Sequence, residues 1–477
     1  MGPKQVNPKR SYSLSASTSN DESPSSSSSA PALPGFYYDP EKNRYFRLLP
    51  GHNNWNPLTN EMLQQKEKEL ARQKMLKEEE NRRAKPVRPG LNATKLLLKR
   101  NLGMAPLTTY CRRIHELKVG SMMGKRVPIQ STEPTESRAQ PYNLMVADSK
   151  YEKVFTANEV ESSSGIFGIL SLAGLTKDPP AVKAYYNSNF SNPKVIAACW
   201  AYLNSADSHI LVCQQDNLGT PGCVGLLPTK LFWNLEEDPD YNDELPELFY
   251  NMKISNLWSC SWYDNPYREG IFSIGLDNQF MIINANRNFK TKFMTDSAVL
   301  AQQFSSKTAL LVNGCRSGAI FAVDLRRPSR PTTWRKAFGF EHDSSISSMH
   351  MLQDENYLMA SDMSGKIKLW DIRILSPVKH YEGHKNSYAR LPVHVNEDEG
   401  LLIAVGQDCY TRIWSLDSTD LLRTIPSPHP AGNDSVPKVV FSSYLGGRNQ
   451  SIPGLLMAVK KDLYHFTYNP DTLKTKQ

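Results

Sequence analysis

Asp362-Met363-Ser364-Gly365-Lys366-Ile367-Lys368-Leu369-Trp370-Asp371-Ile372-Arg373 decides how this chain folds, because two other segments repeat it. Aligned by their ends, these are Cys315-Arg316-Ser317-Gly318-Ala319-Ile320-Phe321-Ala322-Val323-Asp324-Leu325-Arg326, 47 residues earlier, and Gly406-Gln407-Asp408-Cys409-Tyr410-Thr411-Arg412-Ile413-Trp414-Ser415-Leu416, 44 residues later. Each runs from a polar turn into a short apolar strand. A second strand precedes each segment, at Leu310–Val312, Tyr357–Ala360 and Leu401–Val405, and a third precedes that one, as in Ile346–Leu352. Three strands and an outer one per period make a four-stranded blade. Such blades close radially and leave few exposed edges. Weaker copies run near 142–172, 193–227, 255–284 and 437–468. The expectation is an all-β chain whose residues 140–477 form a β-propeller of seven blades.

The part before residue 140 has a different texture. Residues 1–33 are rich in Ser and Pro and cannot build a core, so they read as a disordered tail. Residues 34–58 hold Phe36-Tyr37-Tyr38 and Tyr45-Phe46 around an Asp39-Pro40-Glu41-Lys42-Asn43 turn, the pattern of a small aromatic hairpin. Residues 59–85 are almost free of β-branched residues, Gly and Pro. They carry Glu78→Arg82 and Glu79→Arg83 pairs but few apolar positions, so a charged, solvated spacer helix is expected. Residues 90–106 form a second helical stretch. Leu98 and Leu102 fall on one face at i,i+4, Lys99 and Arg100 suit the last turn, and Gly103 is a natural stop.

Charge and composition narrow the function. The net charge of +8 is uneven: residues 1–140 hold 24 Lys and Arg against 13 Asp and Glu, and the remainder 32 against 35. The basic character therefore belongs to a helical arm. The near-neutral body argues against nucleic-acid binding. No apolar run is long enough to span a bilayer, and the polar Met1-Gly2-Pro3-Lys4 start has no secretory apolar region. The seven cysteines are odd in number, widely spaced and set in apolar runs, which predicts buried free thiols rather than disulfides or a zinc site. A nuclear or cytoplasmic, non-secreted protein is the expectation. The chain carries no phosphate loop, His-Glu-x-x-His or Gly-x-Ser-x-Gly, so no enzyme, metal or cofactor is expected. Residues 228–254 are long for a blade turn and strongly acidic, with Phe232, Trp233 and Phe249 beside the charges. They read as a selector of basic partners or, equally, as a solvated insertion.

The repeat resembles the WD family. His342 lies 28 residues before Trp370 and Gly383-His384 leads Trp414 by 30, and the resemblance implies that histidine, a strand serine such as Ser361 and the tryptophan bond inside the blade. The endings Val323-Asp324-Leu325-Arg326 and Trp370-Asp371-Ile372-Arg373 are similar to the Trp-Asp-x-Arg box of WD-repeat substrate receptors of cullin-4 ubiquitin ligases. Ser317 and Ser364 stand where that box has aspartate, and Val323 replaces the first tryptophan. Leu98-Lys99-Arg100-Asn101-Leu102-Gly103 resembles the short helix by which some receptors dock on the same adaptor. The resemblance implies that Asp324, Arg326, Asp371, Arg373, Leu98 and Leu102 bind the ligase's triple-propeller adaptor. Cullin-4 would be reached indirectly, and unknown substrate proteins would be presented for ubiquitin transfer. Two other readings stay open: a general WD-repeat scaffold of another assembly, and a helix 90–106 that packs on its own propeller.

Overall fold

A computed structural model of the chain describes residues 36–39, 44–47, 60–84, 93–131, 141–150, 152–161, 164–177, 179–186, 194–202, 208–215, 221–232, 250–265, 270–326, 334–432, 435–445 and 452–468. The Ser-rich tail and the acidic residues 233–249 lie outside these. The segment up to Lys68 forms a unit by itself. It contains an antiparallel hairpin, Phe36–Asp39 with Arg44–Arg47, in the register Phe36↔Arg47 through Asp39↔Arg44.

The second unit, residues 69–477, is a seven-bladed β-propeller. Blades 1 to 6 occupy Tyr142–Tyr186, Val195–Lys253, Leu257–Met294, Val299–Glu341, Ile346–Tyr381 and Val393–Pro426, each as an antiparallel meander of four strands. Blade 1 gains a fifth, parallel strand, Ile129–Ser131, beside Val182–Tyr186. The innermost strands of neighbouring blades touch one another around a closed circle, so each blade's apolar faces are covered by the blades on either side. The cores between blades are built from their alternating residues, such as Phe272, Ile274 and Ile283 on blade 3 against Leu211 and Leu226 on blade 2.

Blade 7 corrects the boundary expected at residue 140. Its three sequential strands, Lys438–Leu445, Ile452–Val459 and Asp462–Tyr468, are completed by Met122–Val127, paired from Met122↔Tyr468 to Val127↔Leu463. The ring is thus closed by joining its two ends. The added strand brings Met122 and Val127 into the core, both at most 2% exposed.

Among the described residues three helices precede it: α1 (Asn60–Ala84), α2 (Ala93–Asn101) and α3 (Leu107–Ser121). The part of α1 from Glu69 onward is not the solvated spacer expected. Arg72, Met75, Leu76 and Glu79 recur at i, i+3, i+4 and i+7 and are all at least partly covered. Buried Arg72 donates to the Ser427 carbonyl at 2.8 Å and is forked onto Glu69. Glu79 accepts from buried Arg423 at 2.5 Å, and Arg423 also donates to the carbonyls of Val119 (2.6 Å) and Met122 (2.9 Å). One guanidinium on blade 6 therefore ties α1, the end of α3 and the closing strand together. Replacing Glu79 by Gln in the full chain should lower stability by about 1.5–3 kcal/mol, the weight of a charge-assisted bond, read from the chemical denaturation midpoint. A solvated helix would lose no more than about 0.5 kcal/mol.

The bonds expected inside the WD blades differ in detail. Buried His342 meets Asp362 at 3.2 Å, but Ser361 pairs with Ser347 at 2.8 Å and the Trp370 indole N–H has no bond. In blade 6, His384 contacts the Val405 carbonyl at 3.0 Å and Trp414 donates to the Glu382 carbonyl at 2.8 Å. Among the described residues six cysteines are free thiols; Cys213, Cys315 and Cys409 are buried, whereas Cys199, Cys223 and Cys260 are only partly covered. Among the described residues, no helix is long and apolar enough to cross a membrane.

Candidate protein-docking site

Asp324 ends the third strand of blade 4, Ala319–Asp324, and Asp371 ends the third strand of blade 5, Ile367–Asp371. Equivalent strands of successive meanders run the same way, so the residues after them emerge on one face of the ring. Two residues past each aspartate an arginine folds back on it in the same geometry. Arg326 donates its backbone N–H and Nε to Asp324 Oδ1, both at 2.9 Å, and a terminal N–H to Oδ2 at 2.9 Å. Arg373 does likewise with Asp371 at 2.9, 3.0 and 2.6 Å. Its guanidinium also lies 5.5 Å from the centre of the Tyr357 ring. The Arg373 fork holds the Asp371 carboxyl down to about 2, and the Asp324 bond raises Arg326 further above its usual range. The arginine side chains stay 65% and 56% exposed, so each is a fixed cation offered to solvent.

The surrounding face is tied together by carboxylates in the turns. Glu355 of blade 5 accepts backbone N–H bonds from Lys307 (2.6 Å) and Thr308 (2.8 Å) of blade 4, and hydroxyl bonds from Ser306 and Thr308. Burial opposes the charge on Glu355, but these donors outweigh it and keep the carboxyl below its ordinary value. Glu397 of blade 6 accepts from the Gln353 backbone at 2.9 Å, and Glu399 pairs with Lys118 of α3 at 2.5 Å. The end of α3 therefore reaches this same face.

α2 precedes α3 and packs against it, with Arg100 over the Tyr110 ring at 4.8 Å. Gly103 stops the helix at φ +69°, with Gly103 N–H on the Arg100 carbonyl and Met104 N–H on the Lys99 carbonyl, a paired C-terminal turn. Leu98 is 56% exposed and Leu102 63%. Met104 and Leu107 continue the exposed apolar strip, and Ile374 and Leu375 form another directly after Arg373. None of these four, nor Tyr357, stood out in the sequence. The only signal was an Ile-Leu pair in a turn where polar residues are usual.

The chain matches the family model described as the DDB1- and CUL4-associated factor 4 beta-propeller domain over residues 110–468. It is 49% identical to the DDB1- and CUL4-associated factor 4 of Homo sapiens over 94% of this chain and 91% of that protein. The Bos taurus protein of the same name is 48% identical over 95% and 92%. DDB1- and CUL4-associated factor 4-like protein 2 of Homo sapiens is 44% identical over 82% and 98%. With a matched ring of seven blades and relatives aligned along nearly its whole length, the chain belongs to the DDB1- and CUL4-associated factor 4 family.

Proposed function

We propose that the chain is the substrate-recognition subunit of a cullin-4 E3 ubiquitin ligase. It docks on DDB1, which we read as the ligase's adaptor, and reaches cullin-4 only through it. It presents target proteins for ubiquitin transfer and performs no catalysis itself. Arg326 and Arg373, held by Asp324 and Asp371, supply the cationic contacts, and Leu98 and Leu102 supply a helical anchor. The relatives are named as associated with DDB1 and CUL4.

The observation that carries the reading is the duplicated fork. A free surface arginine loses much rotamer freedom when it binds; one already locked by a carboxylate loses less and presents its remaining donors in a fixed direction. Two such forks on consecutive blades form a pre-ordered pair. The exposed apolar strip on α2 supports an additional helix-in-groove contact. Ile374 and Leu375 add apolar area at the second arginine.

Arg326→Ala with Arg373→Ala in the full chain is expected to weaken binding to purified DDB1 by at least about tenfold, since truncated hot-spot arginines commonly cost that much. The ring should stay folded with a modest fall in melting temperature, because the arginine side chains are exposed but Asp371, which is 5% exposed, loses its partner. Lysines at both positions keep the charge but lose the fork, and should bind with intermediate affinity. Wild-type affinity in the alanine variant would overturn this mode of docking. Stable capture of another assembly with no DDB1 would favour a general scaffold.

A further inference from the structure

Three thiols meet where blades 2 and 3 pack side by side. Cys199 sits on the innermost strand of blade 2, Val195–Tyr202, and Cys260 on that of blade 3, Leu257–Trp262. These strands lie side by side, and the two sulfurs are 3.9 Å apart. Cys213, on the next strand of blade 2, is buried and interacts electrostatically with Cys260.

A cation approaches the same group from across the ring. The segment between blades 5 and 6 inserts Arg390, which donates to the carbonyls of Trp258 at 2.6 Å and Leu300 at 2.8 Å. Trp258 is two residues from Cys260 on the same strand. The Arg390 Nε is buried without a hydrogen-bond partner, and the acidic groups that act on its charge are the thiols of Cys260 and Cys213, not a carboxylate. Arginine stays protonated, and a buried guanidinium without a counter-charge is costly. A thiolate at Cys260 would supply that charge. The Cys199 bond, with the nearby Cys213 thiol, holds the Cys260 thiol well below its ordinary range against the opposing effect of burial, and Arg390 adds to them. The same cluster pushes Cys199 and Cys213 well up.

We propose that Cys260 is a peroxide-reactive thiol whose oxidation ends in a Cys199–Cys260 disulfide joining blades 2 and 3. The Cys260 thiolate attacks one oxygen of a hydroperoxide; the S–O bond forms, the O–O bond breaks, and hydroxide leaves and takes up a proton as water. Cys260 is then a sulfenic acid. The Cys199 sulfur attacks it; the S–S bond forms, the S–O bond breaks, and the Cys199 proton leaves with the hydroxyl as a second water. Overall, two thiols and one hydrogen peroxide give one disulfide and two waters, a two-electron oxidation that a small dithiol reverses. Cys199 is the resolving thiol because it is partly accessible and faces Cys260 directly, whereas Cys213 lies buried one strand back.

The test treats the reduced full chain with hydrogen peroxide and maps the digest without reduction. The expected product is the peptide pair joined at Cys199 and Cys260, lost again on adding dithiothreitol. With Cys199→Ser, dimedone should trap a sulfenic acid at Cys260; with Cys260→Ser, neither the linkage nor the adduct should form. Alkylation by iodoacetamide at neutral pH should modify Cys260 at least about tenfold faster than Cys223 or Cys315 in the folded chain. Arg390→Met should remove that advantage and Arg390→Lys should retain it, with melting curves confirming that both variants fold. The proposal is overturned if Cys260 alkylates no faster than Cys223 in the folded chain. It is equally overturned if no linkage forms in wild type and no adduct forms in Cys199→Ser.

Discussion

A chain beginning at residue 140 will not form a stable ring, whereas one beginning at residue 60 will. The shorter chain lacks Met122–Val127, the outer strand of blade 7, and with it the six-residue ladder to Asp462–Tyr468. It also loses Val119, Met122 and Val127 from the core, each at most 2% exposed. Burial of such side chains contributes about 1.5–3 kcal/mol apiece, so the loss is comparable to the roughly 5–15 kcal/mol by which domains are stable at all. The vacated strand Asp462–Tyr468 would present an open, largely apolar edge, which favours aggregation. Soluble yield and a cooperative melt, measured on both chains, check this. A 140–477 chain melting within a few degrees of the longer one would refute the closure.

That closure marks where sequence reading stops. Blades 4, 5 and 6 were legible because local repetition exposes them: Asp371 and Trp370 recur in register with Asp324 and Trp414. The closing strand could not be found that way. Its partner is more than 300 residues away, as the 2.6 Å bond from Arg126 to Asp462 shows, and Met-Met-Gly-Lys-Arg-Val carries no repeat signature. The docking of α1 was missed for another reason. Its contacts are made by Arg72 and Glu79, and a search for apolar periodicity discards charged residues that bury only through their bonds. The Asp-x-Arg forks were visible as residues, but their shared bidentate geometry was not. The thiol pair has no motif, since Cys199 and Cys260 are joined only by the lateral packing of two blades.

Leu98→Asp combined with Leu102→Asp should abolish binding to DDB1 while leaving the propeller intact. Both side chains are more than half exposed in the free chain, so their loss should change stability by no more than about 0.5 kcal/mol. In a well-packed groove, each large apolar side chain removed costs about 2–5 kcal/mol, and two together lower affinity on the order of a thousandfold or more. A peptide covering 90–106 should compete with the full chain, though weakly, because it must order its helix on binding. If α2 instead serves to pack on its own propeller, the pattern inverts: the variant's melting temperature falls and the peptide does not compete.

The most direct test of the whole account is equilibrium binding of the purified full chain to purified DDB1, with the double-arginine and double-leucine variants measured beside it. A saturable one-to-one complex is expected for the wild type, weakened by loss of the arginines and lost with the leucines, with the ring still folded and melting cooperatively in every variant. A folded wild-type chain that does not bind DDB1, or variants that bind as tightly as it does, would contradict it.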